Sequence, residues 1–208
     1  MLELKMSHNP LDMRGRLALI TGGSSGLGRA TACLLARLNA RLILVGRNEA
    51  RLEETRSGLE GGPHTVEVFD LTRTDEIPKW IEHLASQHGP LGGLAHMAGI
   101  HSAKPLKMLD SAHFESVLRT NVVAAAQLLR GLRQKGCAGT HASAVLVASV
   151  VGLVGAAGVG AYSASKGAVV ALATFWRKNR LLDRPISGFG FAGSAGSLFS
   201  DLFQPFAA

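Results

Sequence analysis

The sequence has few of the features that build disulfides, metal sites or membrane spans. Its two cysteines, Cys33 and Cys137, lie far apart, so we expect both to be reduced core residues. The eight histidines show no HExxH or similar ligand spacing, which gives a metal site no support. No apolar run approaches the roughly 18 residues of a membrane span, and the N-terminus lacks the apolar core of a secretion signal. We therefore expect a cytoplasmic protein with no bound metal and no membrane contact.

Aromatic residues are also scarce, at 5% of the chain. The net charge of +7 suits nucleic-acid binding, but the basic residues are spread along the chain and few aromatic side chains are available to stack on bases. We therefore expect no nucleic-acid partner. The charge instead favours a small anionic ligand.

Short apolar runs alternate with longer amphipathic segments, a pattern typical of βαβ units that build a parallel sheet. Five strands are predicted, at residues 17–21, 42–45, 65–69, 93–97 and 144–148. Two crossover helices are predicted by apolar residues at helical spacing. These are Leu27, Ala30, Leu34, Leu35 and Leu38 in the helix from Gly26, and Phe114, Val117, Leu118, Val122, Ala125 and Leu129 in the later one.

The later helix has candidate signals at both of its ends. Asp110 or Ser111 is placed to cap its start, and Gly136 is placed near its end. A chain of 208 residues fits one core, so we expect a single α/β domain. Its margins are an N-terminal tail at 1–13 and an atypical C-terminal segment at 180–208.

A glycine turn directly follows the first predicted strand. The run TGGSSGLG, Thr21–Gly28, leads straight into the helix that begins at Gly26. Such a turn lets backbone amides approach a diphosphate, and the positive end of the helix dipole favours the diphosphate charge. Gly22, Gly26 and Gly28 are the positions where a side chain would obstruct that approach. The pattern favours dinucleotide binding, and a merely tight strand-to-helix turn is the alternative interpretation.

The ends of the second and third predicted strands bear on which dinucleotide binds. An acidic residue about 20 positions after the glycine turn usually binds the adenosine ribose. Here Gly46 and Arg47 replace that acid, and a guanidinium suits the 2′-phosphate of NADP. We expect NADP(H) to be preferred, with NAD(H) as the alternative, unless Arg47 is an ordinary solvated arginine. Asp70 is placed either to bind the adenine edge or to serve as a cap or turn residue.

The only tyrosine of the chain, Tyr162, stands four residues before Lys166 in the run YSASK. On a helix the two side chains lie side by side on one face. A free phenol loses its proton only near pH 10, and a neighbouring ammonium favours the phenolate, so the pair is suited to proton transfer. Ser149 lies just beyond the fifth strand, where the carboxyl end of a parallel sheet opens into a ligand crevice. It is placed to hydrogen-bond the oxygen that Tyr162 protonates.

Asn121 falls on the apolar stripe of its predicted helix, between Leu118 and Val122. A polar amide in that position must find partners or destabilise the fold, so we expect it to face inward. It is either part of the candidate site or a core asparagine satisfied by the backbone.

The glycine turn, Asn121, Ser149 and YSASK, in this order and spacing, resemble the short-chain dehydrogenase/reductase family from about Leu11 to about Ala173. The resemblance implies a Rossmann-type doubly wound parallel sheet with helices on both faces, and hydride transfer between a nicotinamide cofactor and an alcohol or carbonyl compound. It implies that Tyr162 is the acid/base and that Ser149 polarises the substrate oxygen. Lys166 would bind the ribose and favour the phenolate, and Asn121 would hold a water that passes protons to Lys166.

The predicted catalytic residues are therefore Asn121, Ser149, Tyr162 and Lys166. The predicted cofactor-binding residues are Gly22, Ser24, Ser25, Gly26, Leu27, Gly28, Arg47, Asp70, Leu71, Ala98, Gly99, Tyr162 and Lys166. Family members commonly pair through the helices that begin near Phe114 and Tyr162. Because residues 167–176 are apolar almost all round, we expect a homodimer or homotetramer.

Two departures from the family pattern affect these expectations. The usual NNAG reads HMAG at His96–Gly99, which predicts a weaker brace in the sheet. Residues 186–193, ISGFGFAG, replace a clear sixth strand and Pro-Gly turn, and their glycines weaken any strand. A shortened or altered substrate region leaves a second interpretation open, a non-catalytic NADP-binding sensor or assembly subunit.

Overall fold

The computed structural model describes residues 9–178. In that range the strands are β1 (Leu17–Thr21), β2 (Arg41–Gly46), β3 (Thr65–Val68), β4 (Leu91–His96) and β5 (Ala138–Leu146). The helices are α1 (Gly26–Arg37), α2 (Glu49–Ser57), α3 (Ile77–His88), α4 (Ser111–Leu118), α5 (Ala124–Leu132), α6 (Val151–Val154) and α7 (Gly160–Lys178). A π-helical turn, Arg119–Val123, joins α4 to α5. The predicted C-terminal segment at 180–208, with its candidate strand at 186–193, lies outside the described residues.

The five strands form one parallel sheet in the order β3-β2-β1-β4-β5. The order reverses between β1 and β4, because the chain builds outward from β1 in one direction and then in the other. At such a reversal the loops leaving neighbouring strands diverge and open a crevice at the carboxyl ends. The predicted Rossmann-type, doubly wound α/β domain is confirmed.

Helices cover both faces of the sheet. Leu17 and Leu19 of β1 belong to the apolar core on the side of α3, α5 and α7. Ala18 and Ile20 belong to the core on the side of α1 and α2. Successive side chains of a strand point to opposite faces, so a strand covered on both sides becomes a continuous apolar run, as residues 17–20 are.

The helix beginning at Gly26 is confirmed, but its predicted apolar stripe is not the buried face. Leu27 is 37% exposed, whereas the buried residues are Gly28, Ala32 and Ala36. These small residues lie at i, i+4 and i+8, which lets the helix backbone approach the sheet closely. The leucines flank this contact, because the space beneath the helix is too narrow for them.

The helix predicted near Phe114 is interrupted. Asp110 caps α4 as one of the two predicted candidates, its carboxylate accepting from the N–H of His113 at 2.7 Å. The π-helical turn then shifts the face that α5 buries relative to α4, which an uninterrupted period of 3.6 residues does not predict. The predicted end near Gly136 is wrong, since α5 ends at Leu132.

Strand ends differ from prediction by a few residues. β1 matches its predicted range, while β5 begins six residues before 144 and ends at Leu146 rather than 148. The described part of the predicted N-terminal tail is partly docked, because the N–H of Met13 donates to the carbonyl of Leu38 at 2.7 Å. Among the helices in residues 9–178, none is long and apolar enough to cross a bilayer.

Candidate active site

The glycine turn lies at the carboxyl end of β1, beside the reversal in strand order. Gly22 has φ of +70°, and a Cβ at this residue would lie 2.9 Å from the backbone nitrogen of Ala98. A Cβ on Gly28 would lie 2.1 Å from the carbonyl oxygen of Gly22. Both positions therefore require glycine, the first for its conformation and its space and the second for space alone.

The N-terminus of α1 opens from this turn. Ser25 precedes it in an extended conformation, and its side chain makes no capping hydrogen bond within residues 9–178. Leu27 and the exposed Ser25 and Gly26 belong to the same opening. The first amides of a helix have no partner within the helix, so this terminus is suited to an anionic group.

Arg29 supports the turn from behind and was not among the predicted site residues. Its guanidinium donates to the carbonyl of Ser24 and to the carboxylate of Glu54, each at 3.0 Å. An arginine in the first turn of a helix carries no sequence signal for such a role. Only the packing of α1 beside α2 brings the carboxylate within reach.

Arg47 and Asp70 follow β2 and β3 at the same edge of the sheet. The Arg47 side chain is exposed. Asp70 accepts from the amide and the hydroxyl of Thr72, each at 2.9 Å. These bonds, the amide first, lower the pKa of Asp70, with smaller contributions from the positive charges of Arg47 and Arg73. Asp70 thus has the turn role that the sequence left open, and the side chain of Leu71 lies in the apolar core.

His96 ends β4 beneath the glycine turn. Its Nδ1 lies 2.8 Å from the hydroxyl of Thr21, which also accepts from the N–H of Ala98 at 3.1 Å. Burial, and then the charge of Lys166, lower the pKa of His96 from 6.5 to about 3, so the imidazole is neutral near pH 7. The histidine in HMAG therefore retains a link between β1 and β4, although its Nε2 is buried without a partner among the described residues.

Asn121 is buried in the π-helical turn, as its place on the apolar stripe predicts. Its Oδ1 accepts from the N–H of Ile100 at 2.8 Å, and its Nδ2 donates to the carbonyl of Ile100 at 3.0 Å. The same Nδ2 donates to the hydroxyl of Ser165 at 3.0 Å, and that hydroxyl donates to the carbonyl of Tyr162 at 2.7 Å. Asn121 thus joins the loop after β4 to α7, largely through the backbone bonds that the core interpretation describes.

Tyr162 and Lys166 lie one turn apart on α7. The Lys166 side chain is buried, and its Nζ donates to the carbonyl of Val147 at 2.7 Å. Nζ lies 5.6 Å from the centre of the Tyr162 ring. Burial lowers the pKa of Lys166 from 10.5 to about 8.

Gly99 and Ser149 belong to two segments that contact Lys166. A Cβ on Gly99 would be 3.1 Å from Oδ1 of Asn121 and 3.8 Å from Nζ of Lys166, so these two side chains converge on the loop after β4. Ser149 is two residues beyond the Val147 carbonyl that binds Lys166, and its own carbonyl accepts from the N–H of Gly152 at 3.0 Å. The structure therefore brings both the glycine turn and the YSASK segment to one edge of the sheet.

His101 is a further residue that the sequence did not indicate. Its ring meets the Tyr162 ring edge to face, with centroids 4.7 Å apart and planes at 65°. A histidine in a loop has no periodicity that reveals such a neighbour. Within residues 9–178, no group of three or more His, Cys, Asp or Glu side chains is arranged to bind a metal ion.

Comparison with known proteins agrees with this architecture. The family model for short chain dehydrogenase matches residues 16–181. The short-chain dehydrogenase/reductase ABA4 of Pyricularia oryzae is 32% identical over 169 residues, which cover 78% of this chain and 62% of that protein. Gluconate 5-dehydrogenase of Gluconobacter oxydans is 32% identical over 183 residues, covering 85% of this chain and 72% of the relative.

The fold has solved counterparts as well. The crystal structure of an Escherichia coli CFT073 protein in complex with NADPH superposes with a TM-score of 0.80 and 28% identity, covering 89% of this chain and 80% of that one. The match to the family model spans well over half of the sequence and includes both the glycine turn and the YSASK segment. The chain belongs to the short-chain dehydrogenase/reductase family.

Proposed function

We propose that the chain is an NADP(H)-dependent oxidoreductase that acts on an alcohol or carbonyl group with Tyr162 as acid/base. The observation that carries this proposal is the pairing of Tyr162 with the buried ammonium of Lys166, at the sheet edge where the glycine turn opens. The relative named gluconate 5-dehydrogenase and the solved relative complexed with NADPH support the reaction class and the cofactor.

The residues present fit a dinucleotide. Gly26 leaves open space at the turn where a diphosphate would approach, since a Cβ there would have no atom within 4 Å, and the uncapped start of α1 offers its amides. Arg47 is exposed at the end of β2 and would bind the 2′-phosphate of NADP. Tyr162 and Lys166 would bind the nicotinamide ribose.

The chemistry then needs one proton for each reduced carbonyl group. When bound, the reduced nicotinamide supplies a hydride to the carbonyl carbon. The phenol of Tyr162 donates its proton to the carbonyl oxygen, and the Lys166 ammonium stabilises the phenolate that remains. The Ser149 hydroxyl donates a hydrogen bond to the same oxygen. Oxidation of the alcohol reverses these steps.

Asn121 has a positioning role in this proposal. Its amide holds Ile100 and Ser165, and therefore sets the distance between the loop after β4 and the helix that carries Tyr162. The oxygen and the nitrogen of this side-chain amide already have hydrogen-bond partners. A water that passes protons to Lys166 would have to bind in addition to them.

We also propose a homodimer or homotetramer. Phe175 on α7 is 61% exposed and Val123 beside α5 is 39% exposed, which leaves apolar surface on the helices that the sequence indicated. Sedimentation of a monomer alone at micromolar concentration would contradict this assembly.

The experiment that tests the function compares the wild type with Tyr162→Phe. The variant keeps the ring and its contact with His101 but loses the proton donor. We expect NADPH affinity, measured by fluorescence titration, to stay within about threefold, while NADPH-dependent reduction of carbonyl compounds falls at least about a hundredfold. Undiminished turnover in the variant would exclude Tyr162 as the donor. Tight NADPH binding with no turnover by the wild type would favour the non-catalytic sensor.

A further inference from the structure

We propose that His101 determines substrate specificity by binding a second oxygen of the substrate, close to the oxygen that Tyr162 protonates. The preferred substrates are then ketones with a hydroxyl or carbonyl group one or two carbons from the reacting carbon. This inference rests on the proposed function, because it assigns Tyr162 to the reacting oxygen.

The backbone beside His101 is held in place although its side chain is exposed. Ile100, the preceding residue, is bound through both its N–H and its carbonyl to the buried amide of Asn121. The imidazole extends from this anchored position to the Tyr162 ring, with centroids 4.7 Å apart. At that separation the imidazole can reach substrate atoms near the reacting carbonyl but not the far end of a long substrate.

The two nitrogens of His101 are open to a ligand. Three histidines lie in or beside the loop after β4. His96 is buried and bonded to Thr21, and His113 is bonded to the Ser102 hydroxyl at 3.0 Å. Within the described residues, the imidazole of His101 makes a ring contact but no hydrogen bond. A neutral imidazole offers one donor and one acceptor, so it can bind either a hydroxyl or a carbonyl oxygen.

The loop after β4 and the segment before α7 expose several apolar side chains, with Lys107 exposed among them. The N–H of Lys104 donates to the carbonyl of Gly158 at 2.6 Å, which joins the loop after β4 to the loop before α7. These segments expose Leu106, Met108, Val150, Leu153 and Val154. Such side chains contact hydrocarbon but do not locate an oxygen, and His101 is the polar side chain of the loop after β4 that contacts the Tyr162 ring.

The test uses ketones that share a four-carbon skeleton. Butan-2-one has one oxygen, whereas 3-hydroxybutan-2-one and 4-hydroxybutan-2-one add a hydroxyl one and two carbons away. The value of kcat/KM is measured for each ketone with NADPH, together with NADPH affinity by fluorescence titration. For the wild type we expect at least one hydroxyketone to exceed butan-2-one about tenfold in kcat/KM, the scale of one good hydrogen bond.

Two variants and one control distinguish the effect of the imidazole nitrogens from the effect of the ring. His101→Phe keeps a ring against Tyr162 and removes the nitrogens, so the preference should fall at least about fivefold, mainly through KM. His101→Asn restores a donor and an acceptor and should recover part of the preference. His83→Phe removes an exposed imidazole from α3, and the preference should stay at its wild-type value. NADPH affinity should stay within about twofold of the wild type in every variant.

Each contrary result has a distinct meaning. A wild type that reduces all three ketones equally, or a preference that survives in His101→Phe, overturns the role of His101 and leaves the proposed function intact. A wild type that binds NADPH but reduces none of the ketones overturns the role of His101 as well. In that case, failure across a wider panel of aldehydes and ketones would overturn the proposed function.

Discussion

The glycine turn at the start of α1 and the polar cluster formed by Asn121 and Lys166 meet at the same edge of the sheet, but they are stabilised in opposite ways. The turn depends on missing side chains, because a Cβ on Gly22 or Gly28 would collide with backbone. The cluster depends on side chains that are present, because Asn121 and Lys166 each bind backbone carbonyls of other segments. The first region should therefore be damaged by added atoms and the second by lost ones.

The two regions also differ in the exposure of their cationic side chains. Arg47 is exposed beside the turn, whereas Lys166 is buried within the cluster. An exposed charge is screened by water and salt, and a buried one changes its proton affinity. Arg47 should therefore affect ligand choice with little effect on folding, while Lys166 should couple folding to pH.

The largest effect is expected from Gly28→Ala. The added methyl group would lie 2.1 Å from the Gly22 carbonyl oxygen, which is backbone and cannot rotate away. We expect the free energy of unfolding to fall by about 3 kcal/mol, as measured by urea denaturation. Gly93→Ala is the matched control, because a Cβ on Gly93 would meet its nearest atom at an ordinary 3.7 Å. Equal stability of the two variants would show that the turn has room for a side chain.

The second effect is a pH dependence carried by Lys166. Burial lowers the pKa of its ammonium from 10.5 to about 8 in the folded protein. Between these values the unfolded chain binds more protons than the folded one, so the free energy of unfolding rises with pH. The gain in the free energy of unfolding is absent below about pH 8 and complete above about pH 10.5.

Lys166→Met isolates this contribution, because other groups titrate in the same range in both proteins. Urea denaturation at pH 8 and pH 10.5 should show the wild type gaining about 2 kcal/mol relative to the variant. Parallel pH profiles for the two proteins would mean that the ammonium is as well solvated in the folded state as in the unfolded chain.

The smallest effect is expected from Arg47→Ala. Loss of the guanidinium should reduce the ratio of NADPH to NADH affinity about tenfold, since an exposed charged contact is partly screened. Fluorescence titration with both cofactors measures this ratio, and the melting temperature should change little. Arg51→Ala, in the neighbouring helix α2, removes an exposed arginine of the same type and serves as the control. If both variants keep the wild-type ratio, the preference must arise elsewhere.

The sequence predicted the sheet well because local pattern and fold agree there. β1 has its predicted limits, and α1 begins at the predicted Gly26. It did not predict which face α1 buries or where the helix after Asp110 is interrupted. The first depends on how closely a helix can approach the sheet at Gly28 and Ala32, and the second is a one-residue change in hydrogen bonding that leaves no mark on composition.

By itself, the sequence determined the α/β class, the family and the set of candidate residues, because glycine spacing and the Tyr162–Lys166 interval are local properties of the chain. Only the tertiary structure decided how those residues are partnered. His96 of β4 reaches Thr21 on the neighbouring strand β1, and Lys166 binds the Val147 carbonyl. His101 contacts Tyr162 although 61 positions separate them in sequence. These contacts join segments that come together only when the sheet and its covering helices bring their ends to one edge, so no local pattern encodes them.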